Sequence, residues 1–367
     1  MKTTLEDINL RIPGPVALPD EVRAAVATPV INHRGGAFAE LFERLTVNLK
    51  KCLKTNSDVY FVTSSGTGVM EMAAVNALSP GDNALCVSIG WFGDRFGDIA
   101  EAYGVNVERL RYAPGQAARP QDVAAKLKTL KDVKAVLLTH NESSTGVCNP
   151  LKDLCATIKS ESDALILVDA VSSAGGIELE TDAWGVDAAA TAAQKSWVAP
   201  AGISMLSFSD KAWRAYERST MPKYYLDIGM YRQYAAKKQP PFTPCVTSLF
   251  ALDLALSKHS DDIDAFIRAH SEMADHVRER VSEMGLSILP EDANRASNTV
   301  TAVKIPASID GDEFLRRALD EHKVEFGDGP GELKGKVFRI GHMGWLDYEQ
   351  IDAALDVAAE LIDEMRG

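Results

Sequence analysis

The chain has little of what would make it a disulfide-built, membrane or nucleic-acid-binding protein. Its five cysteines in 367 residues (Cys52, Cys86, Cys148, Cys155 and Cys245) are scattered, odd in number and form no Cys-x-x-Cys pair. They exclude a disulfide framework and a cysteine zinc site, and read as reduced thiols of a cytoplasmic protein with no metal centre. No apolar run approaches the ~20 residues of a membrane span, and Met1 to Asp7 carries acids where a leader would place its apolar segment. Lys and Arg number 39 against 52 Asp and Glu, a net charge of −13, which argues against a nucleic-acid face. No Gly-x-Gly-x-x-Gly follows an apolar strand and no Gly-x-x-x-x-Gly-Lys occurs. Dinucleotide hydride transfer and triphosphate binding therefore lack their loops. Internal repeats and low-complexity segments are absent as well.

What is there is the composition of an enzyme-sized globular chain, 46% hydrophobic and 25% charged, long enough for two domains. Short apolar strands alternate with amphipathic helices from Val59 to Ser207, which predicts a mostly parallel sheet with helices on both faces. The central stretch runs from Ala164 to Lys195. Ala-Leu-Ile-Leu-Val ends on Asp169, and a second small-residue strand leads to Gln194 and Lys195. An acid and an amine at the carboxyl ends of two strands suit pyridoxal phosphate. They equally suit a helix cap or magnesium ligand and a surface lysine.

Other strand ends carry polar chemistry. Val59 to Val62 runs into Thr63-Ser64-Ser65-Gly66-Thr67-Gly68 and then a helix, a geometry that aims free N–H groups at a phosphate or simply makes a tight capped turn. Phe92, in Ile89-Gly90-Trp91-Phe92-Gly93, stands where a ring could stack on a flat ligand or fill the core. Thr139 to Gly146 gathers hydroxyls, an amide and a carboxylate, a cluster that needs partners if buried. Near the start, the Pro- and Gly-rich residues 10 to 38 read as an extended arm with one helix; its His33 and Arg34 face an anionic substrate or form a solvated loop.

Together these stretches resemble a known family. Pro13-Gly14-Pro15, Ser64 to Gly68, Phe92-Gly93, His140 to Gly146, Val168 to Ser173, Gln194-Lys195, Phe242-Thr243-Pro244 and Phe338-Arg339-Ile340-Gly341 stand in the order of the class V aminotransferases. Those belong to the pyridoxal-phosphate fold type I superfamily, here its alanine/serine–glyoxylate branch. The resemblance covers nearly the whole chain. It implies an α/β fold with a large, doubly wound cofactor-binding domain (21–250) and a smaller carboxyl-terminal α/β domain (251–367), preceded by an arm (1–20).

It also implies roles. Lys195 would carry pyridoxal 5′-phosphate and move the substrate proton, and Asp169 would pair with the ring nitrogen. Ser65, Gly66, Thr67 and Gln194 would hold the phosphate, Phe92 and Val171 would cover the two ring faces, and Ser144 would bond the ring hydroxyl. Thr243 would reach the phosphate of a neighbouring subunit, making a homodimer with shared sites. Arg339 would bind the substrate carboxylate through a two-pronged pair, with His33 and Arg34 touching the substrate. The implied reaction is ping-pong transfer of an amino group from alanine or serine to glyoxylate or another small 2-oxo acid. The alternatives are a dicarboxylate-directed aminotransferase, a lyase of the same fold, or a non-enzymatic accessory subunit of a soluble hydrogenase. A desulfurase would want His in place of Phe92 and a cysteine after Cys245, and this chain has neither. The chain departs from the family pattern at Pro240, where a tyrosine is usual, and after Arg34, where a proline is usual.

Overall fold

The computed structural model describes residues 8–366, so the acidic start Met1 to Asp7 lies outside the described residues. The strands, in chain order, are β1 (Asn9–Arg11), β2 (Asp58–Val62), β3 (Asn83–Ser88), β4 (Asn106–Arg111), β5 (Val133–Thr139), β6 (Asn141–Glu142), β7 (Val147–Cys148), β8 (Leu165–Asp169), β9 (Ala188–Ala192), β10 (Ser204–Phe208), β11 (Val300–Lys304), β12 (Val324–Asp328) and β13 (Val337–Gly341). Four helices matter for the site: α1 (Asp20–Val26), α2 (Gly36–Leu53), α3 (Gly66–Ala77) and α4 (Trp91–Ala102).

Seven strands form the main sheet in the order β2-β10-β9-β8-β5-β3-β4, all parallel except β10, which runs antiparallel to both neighbours. Strands buried on both faces must be apolar throughout, and β8 and β9 are buried at every position. Side chains alternate between faces. Ile166 and Val168 join the core built on α2, with Leu41, Leu45 and Leu49, whereas Leu165 and Leu167 join the core built on α3 and α4. The same parity sends the Asp169 side chain toward the α3 and α4 face. In β9, Ala-Ala-Ala-Thr-Ala leaves no bulk to hold α3 away from the sheet.

The second sheet has the order β1-β12-β13-β11. Its core centres on Phe338, fully buried and 4.8 Å and 5.3 Å from the rings of Phe314 and Phe326. The described end of the expected arm thus supplies an edge strand, β1, parallel to β12. The expected boundary at 250 falls inside the helix Val246–His259, whose Leu249, Leu252 and Leu256 pack in the α2 core. The aromatic stretch around Tyr231 forms a helix over Ile228–Ala235. Asp227 caps it by accepting the Gly229 N–H, and Tyr231 is buried against Tyr60. Among the described residues no helix is long and apolar enough to cross a membrane.

Phe338→Ala removes the middle ring of this trio, and chemical denaturation should report a loss of about 3–5 kcal/mol. A loss below about 1 kcal/mol would contradict the packing described.

Candidate active site

Asp169 is the last residue of β8, and its neighbour β9 ends at Ala192, so Lys195 stands three residues beyond the strand in the following turn. Both open on a cavity of about 230 Å³ at the carboxyl ends of the parallel strands. Eight of the expected site residues line it: Ser65, Gly66, Thr67, Phe92, Asp169, Val171, Gln194 and Lys195. Met70, Arg95, Asn141, Ser143 and Ser172 complete the wall. A larger groove, about 640 Å³, lies at the opposite strand ends between Asp82, Asp132, Lys211 and Arg218. It does not contain this pair of groups, and α/β sheets place ligands at the carboxyl ends.

The electrostatics of the cavity follow from burial. Desolvation pushes the Asp169 carboxyl up to about 7; the N–H of Val171, bonded to Oδ1 at 2.9 Å, opposes that rise, as do the charges of Lys195 and Arg95. Desolvation also brings the Lys195 amine down to about 8, helped by the Arg339 charge and opposed by Asp169. The Lys195 Nζ donates to the carbonyl of Pro13. The arm therefore crosses directly over the amine. At Gly14 the backbone has φ +106°, and a Cβ there would stand 2.6 Å from Lys195 Nζ, so both the conformation and the space require glycine.

Three further walls are set by local chemistry. Ser65 caps α3 with its hydroxyl toward the Gly68 N–H, 3.4 Å away, and the helix start leaves N–H groups without intrahelical partners. A Cβ on Gly66 would meet Val171 at 2.8 Å, so glycine lets α3 begin against that side chain. Opposite, the fully buried Glu142 accepts the N–H groups of Phe92 and Gly93 at 3.0 Å with one carboxylate oxygen. With the other it accepts the N–H and hydroxyl of Ser144 at 3.1 and 2.6 Å. Desolvation raises its pKa, against these four bonds. This carboxylate fixes the start of α4 and with it the Phe92 ring.

The remaining expected residues lie elsewhere. Ser144 does not line the cavity: its hydroxyl donates to Glu142 and accepts the Trp91 N–H at 3.2 Å, while Asn141 and Ser143 reach the cavity. Arg339 is half-buried beside the cavity, with Nε donating to the Asp328 carbonyl at 2.8 Å and Nη1 to the Ser143 carbonyl at 2.9 Å. Arg34 does not reach the cavity of its own chain. It donates to the carbonyls of Pro240 at 2.5 Å and Pro241 at 3.0 Å and stacks on Tyr234, with the half-buried His33 beside it. Thr243 is exposed three residues further on, outside the cavity. Sequence reading missed Glu142 as a brace, Pro13 as the partner of Lys195, and Arg95. Only Arg95 left a local signal, standing one helical turn after Phe92 on the same face.

A flat ring with a phosphate at one end fits these walls. The buried Oδ1 of Asn141 and Oε1 of Gln194 have no protein partner, the glycine at 66 opens a cradle beside Val171, and the lysine and acid stand on one cavity. Among the described residues no cluster of three or more His, Cys, Asp and Glu could hold a metal ion.

Comparison with known proteins agrees with this chemistry. The family model for class-V aminotransferases matches residues 21–331. The chain is 36% identical over 359 residues to a soluble hydrogenase small subunit of Synechococcus sp., covering 97% of this chain and 93% of that one. It is 33% identical to an L-aspartate–glyoxylate aminotransferase of Paracoccus denitrificans, covering 91% and 86%. In structure it is similar to an alanine–glyoxylate aminotransferase of Nostoc sp., with a TM-score of 0.93 and 29% identity over 98% of this chain and 97% of that one. The chain belongs to the class V aminotransferase family, fold type I enzymes whose cofactor is pyridoxal 5′-phosphate.

Proposed function

We propose that this protein moves the amino group of alanine or serine to glyoxylate or another small 2-oxo acid, in the cytoplasm, as a homodimer with shared sites. The observation that carries the reading is the pairing of Lys195 with Asp169 across one cavity, with Arg339 anchored beside it. Pyridoxal 5′-phosphate, when bound, supplies the electron sink for the bond broken at the substrate α-carbon.

The chain's own residues do the rest. With its amine near 8, Lys195 is partly unprotonated at neutral pH and able to attack a carbonyl. Its Nζ would take and hold the proton removed from the substrate α-carbon. Asp169 would accept the ring N–H of the bound cofactor, an ion pair that would restore its charged form. Val171 and Phe92 would cover the ring, while Ser65, Gly66, Thr67 and Gln194 would hold the phosphate. Arg339 clamps the substrate carboxylate: Nε and one Nη1 hydrogen are spent on carbonyls, leaving Nη2 and the second Nη1 hydrogen for a two-pronged pair. The Pro13 carbonyl holds the resting amine and, with Gly14, shields it from water.

A small donor is favoured because Arg34, the cation expected to meet a second carboxylate, is engaged by Pro240 and Pro241. The same contacts tie the arm to the segment carrying Thr243, the exposed residue we assign to the phosphate of the partner's site. The five free cysteines suit a reducing cytoplasm. The accessory-subunit reading offers no account of a half-buried amine and a buried acid on one cavity.

Lys195→Ala should lose the bound cofactor's absorbance after dialysis, together with transamination; normal turnover in this variant would sink the assignment. Adding alanine or serine to the holoenzyme should convert it to the amino form of the cofactor, and glyoxylate should reverse the change. Conversion by aspartate or glutamate alone would exclude a small donor. Arg339→Lys should raise KM for both partners, since a point charge replaces a planar fork; an unchanged KM in steady-state assays would remove Arg339 from the carboxylate site.

Asp169 gives a pH signature in the cofactor-free protein. Its folded pKa, about 7, lies above its unfolded value of 3.8, so stability is lost as pH rises through that window. The cost reaches up to about 4 kcal/mol at 1.36 kcal/mol per unit. Asp169→Asn should abolish that decline in thermal melts at pH 5 and 7.5. The same variant should slow the half-reaction of the loaded enzyme by roughly 2–4 kcal/mol. Equal pH slopes in the two proteins would show that Asp169 is not strained by burial.

A further inference from the structure

Arg95 is the one charged group lining the cavity, among the described residues, to which the mechanism gives no task. Around α4 the acids Asp94, Asp98 and Glu101 are all paired with Arg109 or Arg111. Arg95 points the other way. It lines the cavity, and its guanidinium lies 4.7 Å from the centroid of the Phe92 ring. Its Nη1 donates to Thr67 Oγ1 at 3.4 Å, and among the described residues no carboxylate comes within 4.0 Å of it. A half-buried guanidinium with one long bond to a hydroxyl is a cation short of its anion.

The hydroxyl shows where that anion belongs. Thr67 is the second residue of α3, and the start of α3 already presents Ser65 and unpartnered backbone N–H groups. Every other phosphate-binding group we assign within this chain (Ser65, Gly66, Thr67 and Gln194) is neutral. The neighbouring cations already have other partners or tasks: Lys195 is bonded to the Pro13 carbonyl, and Arg339, beside the cavity, is held by the carbonyls of Asp328 and Ser143 and assigned to the substrate carboxylate. We propose that Arg95 is a ligand of the cofactor's phosphate monoester, closing on it from the α4 side opposite the N-terminus of α3. The inference rests on the pyridoxal-phosphate reading above. Guanidinium and phosphate match in a two-pronged geometry.

The test compares two ligands that differ only in the phosphate. Cofactor-stripped wild type, Arg95→Gln and Arg95→Lys are titrated with pyridoxal 5′-phosphate and with pyridoxal, each followed by the absorbance of the lysine-bound chromophore. Arg95→Gln should weaken pyridoxal 5′-phosphate by about 10–100-fold, the worth of a charged hydrogen bond, and leave pyridoxal within about twofold. Arg95→Lys should fall between, and inorganic phosphate should compete with pyridoxal 5′-phosphate more weakly in Arg95→Gln than in wild type. Unchanged pyridoxal 5′-phosphate affinity in both variants would overturn the proposal. So would an equal loss for the two ligands, which would make Arg95 a packing partner of Phe92. A raised KM confined to aspartate or glutamate, with cofactor affinity intact, would move Arg95 to the substrate and overturn it too. If wild type takes up neither ligand, the cofactor reading itself fails and the proposal falls with it. Should Arg95→Gln fail to fold, the Lys variant with the same two ligands decides the matter, because it keeps the charge and loses the fork.

Discussion

Removing Asp169 and Lys195 from water at the ends of adjacent parallel strands is the constraint around which the rest of the structure is arranged. Each group is driven toward its neutral form by desolvation, and each draws on a different part of the chain for relief. Asp169 has the Val171 N–H and the charges of Lys195 and Arg95; Lys195 has the Pro13 carbonyl. The alanines of β9, the glycines at 14 and 66, and the brace at Glu142 all serve closeness. They let helix, arm and strand approach without filling the space between them. An amine brought down to about 8 and an acid pushed up to about 7 are two results of one burial.

Much of this could be read along the chain because it is local. Asp169 ends an unbroken apolar run, the Ser64–Gly68 loop sits between a strand and a helix, and alternation between strand and helix announces the parallel sheet. What escaped was non-local or directional. Ser144 and Ser143 are indistinguishable as letters, yet the tight turn between β6 and β7 sends one to Glu142 and the other to the cavity. Arg34 looked free because its partners are the carbonyls of Pro240 and Pro241, two hundred residues away and invisible in side-chain chemistry. The helix around Tyr231 likewise depends on a distant contact, since Tyr231 is buried against Tyr60 at the edge of the main sheet.

The two sheets share the site unequally. The large one contributes Asp169 at a strand end, Lys195 in the turn after β9 and the start of α3 at Ser65 and Gly66. The smaller contributes Arg339 from β13, and that side chain is already hydrogen-bonded across to Ser143. If Arg339 binds the substrate carboxylate as proposed, that specificity would depend on how the smaller sheet is seated on the larger one.

The arm adds a mechanical consequence to this seating. Asn9 to Arg11 are hydrogen-bonded into the smaller sheet through β12, and Pro13, two residues later, is bonded to the amine of Lys195. Two residues span at most about 7 Å, so the link from the smaller sheet to the amine is short. Sliding of the smaller sheet over the larger one would have to be taken up within Ile12 and Pro13, or else draw the carbonyl away from Lys195.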